Sequence, residues 1–395
     1  MYLSKRVQAI KPSQTLIIDA KAKTLRQQGI DIISFAAGEP DFDTPDNIKE
    51  AAIAAINEGY TKYCPVAGSP ELKKAVINKF KKDNGLNYNA DEIIVSCGAK
   101  HSLYNLFQSI INDGDEIIVA SPYWVSYTDM IIVSGGNPII INTDDKSSFK
   151  MTPQSVEKAI TSKTKAIIIN SPSNPTGAIY NFEELKAISE ICLKHKILII
   201  SDDIYEKLIY GTAKFISAAS ISQQVKEITI IINGVSKAFS MTGWRIGYTA
   251  GNKEIISAMA KIQSQSTSNP TSISLKAAVE ALNGNQYAVE MMRAEFEKRR
   301  DYIVERLNKI EGISCIKPNG AFYVFPNISG LIGKTLGGKT IKNDLEFADY
   351  LLEKAKIAVV PGSAFGAEGY LRLSYAASIK MIEEGMNRLE SVLKI

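Results

Sequence analysis

Residues 165–203 form the stretch KAIIINSPSNPTGAIYNFEELKAISEICLKHKILIISDD. It opens and closes with short isoleucine-rich runs, KAIIINSP at 165–172 and KILIISDD at 196–203. Between them, residues 181–195 show the apolar spacing of a helix. Strands that are apolar throughout and are separated by helices are typical of a parallel sheet that is covered on both faces. The stretch therefore predicts a strand–helix–strand unit.

The same alternation continues on both sides of this unit. Three more strand-like runs are DEIIVSCG at 91–98, DEIIVASP at 115–122 and EITIIING at 227–234. Helical spacing appears between the runs, at 99–112, 124–134 and 153–161. This order predicts an α/β fold in which residues 46–285 form a large domain around a mostly parallel sheet flanked by helices.

The rest of the chain predicts a second, smaller domain. Long helical patterns cover residues 287–310 and 344–356, and strand-like runs lie at 321–325, 357–362 and 370–376. This mixture indicates an α+β unit at 286–395. Residues 1–45 contain no complete βα unit of their own, so we assign them to the same small domain.

Composition and charge exclude several classes of protein. The 395 residues are 45% hydrophobic and carry a formal charge of only +4, with basic residues scattered along the chain, which does not suggest nucleic-acid binding. No apolar run approaches the ~18 residues of a membrane span, and no signal peptide is evident. The four cysteines and two histidines form no metal-binding or disulfide pattern. We expect a cytoplasmic protein without a metal site.

One sequence motif suggests a different function, nucleotide binding. Residues 333–340, GKTLGGKT, satisfy the pattern of a nucleotide-binding phosphate loop. Such a loop needs a strand running directly into it and a helix starting directly after it. Here the preceding strand is expected to end at Pro326, and helical spacing resumes only near Asn343 or Asp344. We therefore expect a flexible loop and no nucleotide binding.

Ligands of open α/β sheets bind at the carboxyl ends of the strands. In this chain the predicted strand ends are rich in groups that could hold a polar ligand. They are Gly98, Ala99 and Lys100; Pro122, Tyr123 and Trp124; Asn170 and Asn174; Asp202, Asp203 and Tyr205; and Ser236 and Lys237.

Two of these residues suggest a particular cofactor. An amine is needed to bond to an aldehyde cofactor, and an anion is needed beside a basic ring nitrogen to keep it protonated. Lys237 and Asp202 fit these needs for pyridoxal phosphate. Tyr205 and Asn174 could donate hydrogen bonds to the ring oxygen.

The cofactor's phosphate also has candidate partners. It requires backbone amides at a helix N-terminus together with a cation. The segment SCGAKHSLYN at 96–105, Ser236 and Arg245 could supply them.

At this point a family resemblance emerges. SPSNPTG at 171–177, SDDIY at 201–205, SKAFSMTGWRIGY at 236–248 and LRLSYA at 371–376 resemble, in order and spacing, the class I aminotransferases of the fold type I pyridoxal-phosphate enzymes. The resemblance covers nearly the whole chain. AAGEPDFDTP at 36–45, TKYCPVAG at 61–68, GAKHSLYNLFQ at 98–108 and SPYWVSY at 121–127 look most like the bacterial aspartate aminotransferase subgroup, some of whose members also accept prephenate.

The resemblance implies a role for each matching residue. Lys237 would bond to the cofactor aldehyde and then move a proton at the substrate's α-carbon. The remaining cofactor contacts would be Asp202 at the ring nitrogen, Tyr205 and Asn174 at the ring oxygen, Trp124 stacked on the ring, Gly98, Ala99, Lys100, Ser236 and Arg245 around the phosphate, and Tyr63 reaching the phosphate from the other subunit of a homodimer. The substrate would contact Gly38, Lys100, Trp124, Asn174 and Arg372, with Arg372 on its α-carboxylate.

The implied reaction is a ping-pong exchange of an amino group between aspartate and 2-oxoglutarate, with prephenate as a further candidate substrate. Lys100 could bind a distal carboxylate or could merely supplement the phosphate cup. Rival functions are transamination of aromatic or branched amino acids, a pyridoxal-phosphate lyase or decarboxylase on the same fold, and, more remotely, the phosphate-loop enzyme. A non-catalytic regulator on this fold would usually carry a DNA-binding segment, and we see no room for one before residue 45.

Overall fold

The computed structural model describes residues 2–393. Within them, the chain forms fourteen α-helices and fourteen β-strands. The helices are α1 Lys5–Ala9, α2 Gln14–Gln27, α3 Asp46–Asn57, α4 Pro70–Asn84, α5 Ala99–Ile110, α6 Ser126–Val133, α7 Pro153–Ala159, α8 Phe182–His195, α9 Gln223–Ile228, α10 Lys253–Ser264, α11 Ser272–Asn283, α12 Tyr287–Leu307, α13 Asp344–Tyr350 and α14 Ile379–Leu393. The strands are β1 Ile33–Ser34, β2 Ile93–Ser96, β3 Glu116–Ser121, β4 Asn137–Asn142, β5 Thr164–Asn170, β6 Leu198–Asp202, β7 Thr229–Gly234, β8 Gly247–Ala250, β9 Tyr323–Val324, β10 Thr335–Leu336, β11 Lys339–Thr340, β12 Ile357–Ala358, β13 Val360–Pro361 and β14 Leu371–Ser374.

Seven strands form one sheet in the order β2-β8-β7-β6-β5-β3-β4. The pairs β3–β4, β3–β5, β5–β6 and β6–β7 are parallel. Strand β8 is antiparallel to both of its neighbours, so β2 runs in the same direction as β7. Six of the seven strands therefore end at one edge of the sheet, and β8 begins there. The predicted α/β fold with a mostly parallel sheet is confirmed.

The isoleucine runs form strands because both of their faces are covered. In β5, Ile168 packs with one hydrophobic cluster, while its neighbours Ile167 and Ile169 pack with another on the opposite face. Period-two alternation is what a strand between two helical layers requires. Every second isoleucine thus contributes to a different layer of the core.

Helix α8 shows which residues determine where a helix begins and ends. The Asn181 side chain accepts a hydrogen bond from the backbone N–H of Glu184, and Glu184 accepts one from the backbone N–H of Asn181. This reciprocal cap satisfies two amides at the helix start. At the other end Lys194 and His195 lie in the last turn, where cations are favoured by the helix dipole. The predicted helix at 181–195 therefore begins and ends close to the expected residues.

The C-terminal part of the chain forms a separate, three-stranded antiparallel sheet in the order β13-β14-β9. The N-terminal segment joins it, because β1 pairs in parallel with β12, with Ile33 opposite Ile357. The Ser374 N–H also donates to the Phe35 carbonyl at 2.8 Å. All seven strands of the large sheet lie between residues 93 and 250. The division into 46–285 and 1–45 with 286–395 stays a prediction.

The expectation of a flexible loop at 333–340 is wrong. Strands β10 and β11 form a tight antiparallel hairpin, with Thr335 opposite Thr340. Gly337 and Gly338, at the turn, both have positive φ, of 51° and 84°, which suits the two-residue turn of a hairpin. No strand leads into this segment in the manner of a phosphate loop, and Lys339 lies exposed within β11.

Sequence reasoning missed some elements and misjudged the ends of others. Strands β4 and β8 were not expected, and the helix expected over 344–356 ends as α13 at Tyr350 and continues as a π-helical turn, Leu351–Ala355. The cysteines Cys64, Cys97, Cys192 and Cys315 are free thiols. Among residues 2–393, no cluster of side chains suited to a metal ion is found. No helix in that range combines the length and apolar character that crossing a membrane requires.

Candidate active site

A cavity of about 440 Å³ opens at the edge of the sheet where β2, β3, β5, β6 and β7 end. The C-terminal part of the chain contributes Tyr323 and Arg372, and the N-terminal segment contributes residues 36–39 and four residues of α2. Eight charged residues line the cavity: Asp19, Lys23, Glu39, Lys100, Asp202, Lys237, Arg245 and Arg372. Five of these are cationic and three are acidic, which favours an anionic ligand.

Lys237 follows β7 and reaches into this cavity. Its Nζ donates to the Gly38 carbonyl at 2.7 Å. Burial lowers the pKa of Lys237 to about 8, and the Arg245 and Arg372 charges act in the same direction, while Glu39 opposes them. A lysine in this setting is neutral, and hence nucleophilic, far more often near neutral pH than a solvent-exposed lysine is.

Asp202 lies at the end of β6, and one oxygen of its carboxylate is bound more closely than the other. The Tyr127 hydroxyl donates to Asp202 Oδ2 at 2.5 Å, and the Ile204 N–H approaches Oδ1 at 3.4 Å. Asp202 is 4% exposed, and burial raises its pKa to about 6, against the effect of the Tyr127 hydrogen bond. The cavity therefore contains a buried carboxylate beside a lysine with a lowered pKa, a combination typical of functional sites.

Arg372 on β14 faces the same cavity from the three-stranded sheet. Its Nη1 donates to Asn174 Oδ1 at 3.1 Å and its Nη2 to the Ala36 carbonyl at 2.6 Å, while its buried Nε has no partner among the described residues. The guanidinium lies 4.6 Å from the centre of the Tyr323 ring. An orphaned donor on a buried guanidinium indicates a place for a carboxylate.

Tyr205 and Tyr323 connect the large sheet with the three-stranded sheet within the site. Their hydroxyls are hydrogen-bonded at 2.8 Å. Tyr205 follows β6, whereas Tyr323 belongs to β9 of the small sheet. The pair connects the part of the cavity near Asp202 with the part near Arg372.

The turn between β2 and α5 forms one end of the cavity. Gly98 is the N-cap residue of α5 with φ of 91°, and a Cβ there would lie 2.3 Å from Arg245 Nη2. Arg245 is held by the Thr242 carbonyl at 2.7 Å, while Ser236 and Ala99 line the cavity beside it. Arg245 precedes the reversed strand β8, which places it at the same edge as the ends of the other strands. A helix N-terminus, a hydroxyl and a guanidinium together form an anion site.

Lys100 and Trp124 lie next to this anion site. Lys100 Nζ is 4.9 Å from the centre of the Trp124 ring, and burial together with the Arg245 charge lowers the pKa of Lys100. His101 Nδ1 accepts from the Cys97 N–H at 3.2 Å and so braces the β2–α5 turn. Lys100 is thus free to point into the cavity while the turn beside it is fixed.

The structure brings together the predicted site residues, with one exception. Gly38, Ala99, Lys100, Trp124, Asn174, Asp202, Tyr205, Ser236, Lys237, Arg245 and Arg372 line the cavity, and Gly98 packs against Arg245. Tyr63 does not line it and is 92% exposed.

Three functional candidates escaped sequence reasoning. Tyr127 lies within SPYWVSY, Tyr323 within AFYVF and Glu39 within AAGEPDFDTP, so each was inside a recognised segment. Tyr127 follows Trp124 by three residues, a spacing that puts two side chains on one face of the helix expected over 124–134, and this spacing was the available signal. Tyr323 and Glu39 depend on contacts between distant segments, which no local pattern reveals.

The fold and the site define an α/β protein whose cavity places a lysine of lowered pKa among groups suited to an anionic ligand. The model of the family "Aminotransferase class I and II" matches residues 30–389. The chain is 53% identical to an aspartate aminotransferase of Bacillus sp. (strain YM-2), over 99% of both chains. It is 52% identical to a probable aspartate/prephenate aminotransferase of Rickettsia felis, over 98% of this chain and 95% of that protein. The structure of Thermus thermophilus aspartate aminotransferase with maleate superposes with a TM-score of 0.94 at 45% identity, covering 100% of both chains. The chain belongs to the class I and II aminotransferases.

Proposed function

We propose that the protein transfers the amino group between aspartate and 2-oxoglutarate with pyridoxal phosphate as cofactor. One observation carries this proposal: Lys237, with its lowered pKa, shares a cavity with the buried carboxylate of Asp202, and the half-satisfied guanidinium of Arg372 lies across from them. The full-length relatives named as aspartate aminotransferases support it.

The residues present fit the cofactor. A pyridinium proton needs an anion, and Asp202 supplies one whose Oδ1 is only weakly engaged. A phosphate needs amides and a cation, and the start of α5 with Ser236 and Arg245 supplies them. Glycine at position 98 leaves room for Arg245, since a Cβ there would collide with it. When bound, the cofactor supplies an electron sink that stabilises negative charge at the substrate's α-carbon.

The chain's own residues would divide the remaining work. Lys237 would remove the proton from the substrate's α-carbon and deliver it to the cofactor carbon that had carried the aldehyde. Trp124 would cover the ring, and Tyr205 and Asn174 would hold the ring oxygen. Arg372 fixes the substrate by its α-carboxylate, which leaves the α-carbon within reach of the lysine amine.

The second carboxylate of a dicarboxylic substrate would meet Lys100. Lys100 lines the cavity, and no hydrogen-bonded acceptor within residues 2–393 engages its amine. The Thermus thermophilus relative was solved with maleate, a four-carbon dicarboxylate, which supports a substrate of this shape. The name of the Rickettsia felis relative extends the proposal to prephenate as a further acceptor.

We also propose a cytoplasmic homodimer in which the site is shared between subunits. Tyr63, 92% exposed, lies outside the cavity of its own chain. An exposed tyrosine on TKYCPVAG is available to enter the partner's site, where it would reach the phosphate.

A matrix of amino donors against 2-oxo acceptors tests the proposed reaction. Aspartate with 2-oxoglutarate should give the highest kcat/KM, and the initial rates should follow ping-pong kinetics, with parallel lines in double-reciprocal plots. Prephenate belongs among the acceptors. A preference for aromatic or branched donors, or products of elimination or decarboxylation, would contradict the proposal and favour the rival enzymes on this fold.

Replacing Lys100 by methionine should lower kcat/KM for dicarboxylic substrates and leave other substrates largely unaffected. Removing a charged partner from a carboxylate costs about 1.5–3 kcal/mol, or roughly 10–100-fold in kcat/KM for aspartate. Activity with alanine, which lacks the distal carboxylate, should change little, and Lys100→Arg should restore part of the loss. Equal losses for both donors, accompanied by weaker cofactor binding, would instead assign Lys100 to the phosphate cup.

The lowered pKa of Lys237 gives a test that needs no cofactor. Because burial lowers this pKa from 10.5 to about 8, the neutral amine becomes predominant above pH 8. Pulse labelling of the cofactor-free protein with acetic anhydride, read by mass spectrometry, should show Lys237 modification rising between pH 7 and 9. Solvent-exposed lysines in the same sample, with an ordinary pKa near ~10.4, should respond at higher pH. If the pH midpoint of Lys237 labelling fell within the range of the exposed lysines, this result would contradict the expected lowering of its pKa.

A further inference from the structure

Tyr127 is buried at the base of the cavity and belongs to none of the binding roles given above. It is 2% exposed and lies in the first turn of α6, with its N–H donating to the Trp124 carbonyl at 3.0 Å. Its ring meets the Trp124 ring edge-on, with centroids 5.3 Å apart. The backbone bond and the ring contact fix the direction of the phenol.

The Tyr127 hydroxyl points at Asp202 and can only be the donor there. An ionised carboxylate accepts hydrogen bonds and cannot give them. Burial raises the pKa of Tyr127 well above 10.0, so the phenol keeps its proton. The contact with Oδ2, at 2.5 Å, has the length expected of a charge-assisted O–H···O bond. Among residues 2–393, the other donor to this carboxylate is the Ile204 N–H, at the longer distance of 3.4 Å.

We propose that Tyr127 is a positioning residue that holds Asp202 ionised and oriented toward the ring nitrogen of the cofactor. The inference rests on the proposed function, since it concerns how Asp202 meets that nitrogen. Tyr127 anchors one carboxylate oxygen, which leaves lone pairs of Asp202 directed into the cavity. Without the phenol, burial would favour the protonated acid, and the carboxyl group could rotate about its last bond.

The same contact links two ends of the ring site. Trp124, the proposed stacking residue, and Asp202, the proposed partner of the ring nitrogen, both touch Tyr127. The Tyr127 side chain therefore positions both the residue that would stack on the cofactor ring and the residue that would meet the ring nitrogen. Tyr127→Phe removes the hydrogen bond and keeps the ring contact.

The test compares two ligands on two proteins. The dissociation constants of pyridoxal phosphate and of its 1-deaza analogue, in which carbon replaces the ring nitrogen, are measured for wild type and Tyr127→Phe. We expect the substitution to weaken pyridoxal phosphate binding about 10-fold or more, as for one hydrogen bond to a charged group, and to change binding of the analogue less than about 3-fold. Equal weakening of both ligands, or no weakening of pyridoxal phosphate, would overturn the inference.

A spectroscopic readout and a control complete the experiment. With ¹⁵N-labelled pyridoxal phosphate, the ring-nitrogen resonance of Tyr127→Phe should move toward that of the unprotonated pyridine, whereas an unchanged resonance counts against the inference. Tyr88→Phe is the matched control, because Tyr88 is a buried tyrosine whose hydroxyl has no hydrogen-bond partner among residues 2–393. Wild-type protein that fails to bind pyridoxal phosphate would instead refute the proposed function, so the two failures can be told apart.

Discussion

Replacing Lys237 by alanine should abolish turnover, with kcat lower by at least about 10⁴-fold, because the variant loses both the nucleophile and the proton carrier. The amine is the one group in the cavity with a pKa lowered to about 8 by burial, and it lies against the Gly38 carbonyl at 2.7 Å. No other described lysine occupies this position. The measurement is the single-turnover and steady-state rate with aspartate and 2-oxoglutarate.

The Lys237→Ala protein should still bind pyridoxal phosphate, since the phosphate site at α5 and the carboxylate of Asp202 are untouched. Lys237→Arg is the informative companion, because it keeps a cation in the cavity but offers no amine that is neutral near pH 8. Both variants should be inactive. Substantial activity in either one would show that Lys237 does not carry the chemistry.

The sequence predicts the sheet well where strands are buried on both faces. The isoleucine runs at 165–172 and 196–203 form β5 and β6, because short β-branched runs that end at Pro or Asp suit a strand covered on both faces. Strand β8 was missed because it is short and contains Gly247, whose missing side chain admits the backbone of Ala99. The hairpin at 335–340 was missed because its apolar content is too low to separate it from a loop.

The candidate site likewise contains residues that the sequence could place and residues that it could not. Lys237 and Asp202 follow strands directly, so the rule that strand ends meet at one edge is enough to bring them together. The aminotransferase class itself is confirmed by the family to which the chain belongs. Tyr323 could not be placed, because its contact with Tyr205 spans the two sheets. The homodimer, the cytoplasmic location and the role of each residue stay predictions.

Replacing Asp202 by asparagine should lower kcat by roughly 10²–10³-fold, the usual cost of removing one preorganised electrostatic partner from a reacting centre. A neutral amide cannot hold a proton on the ring nitrogen, so the cofactor would accept electrons less readily. The amide has nearly the same shape as the carboxylate, and the Tyr127 hydroxyl can still donate to its oxygen. The effect should therefore appear in kcat, measured with saturating substrates, rather than in the stability of the fold.

Asp203 provides the matched control for this change. It is the next residue, it is also buried, and burial raises its pKa to about 7, but its carboxylate accepts from Ser201 at 2.6 Å and Ser217 at 2.7 Å and does not line the cavity. Asp203→Asn should leave kcat within a few-fold of wild type, and any effect should fall on thermal stability. If both variants lost activity equally, the loss at Asp202 would reflect only the removal of a buried carboxylate at this strand end, and not a contact with the cofactor. A large loss confined to Asp202 would locate the effect at the carboxylate that faces the cofactor.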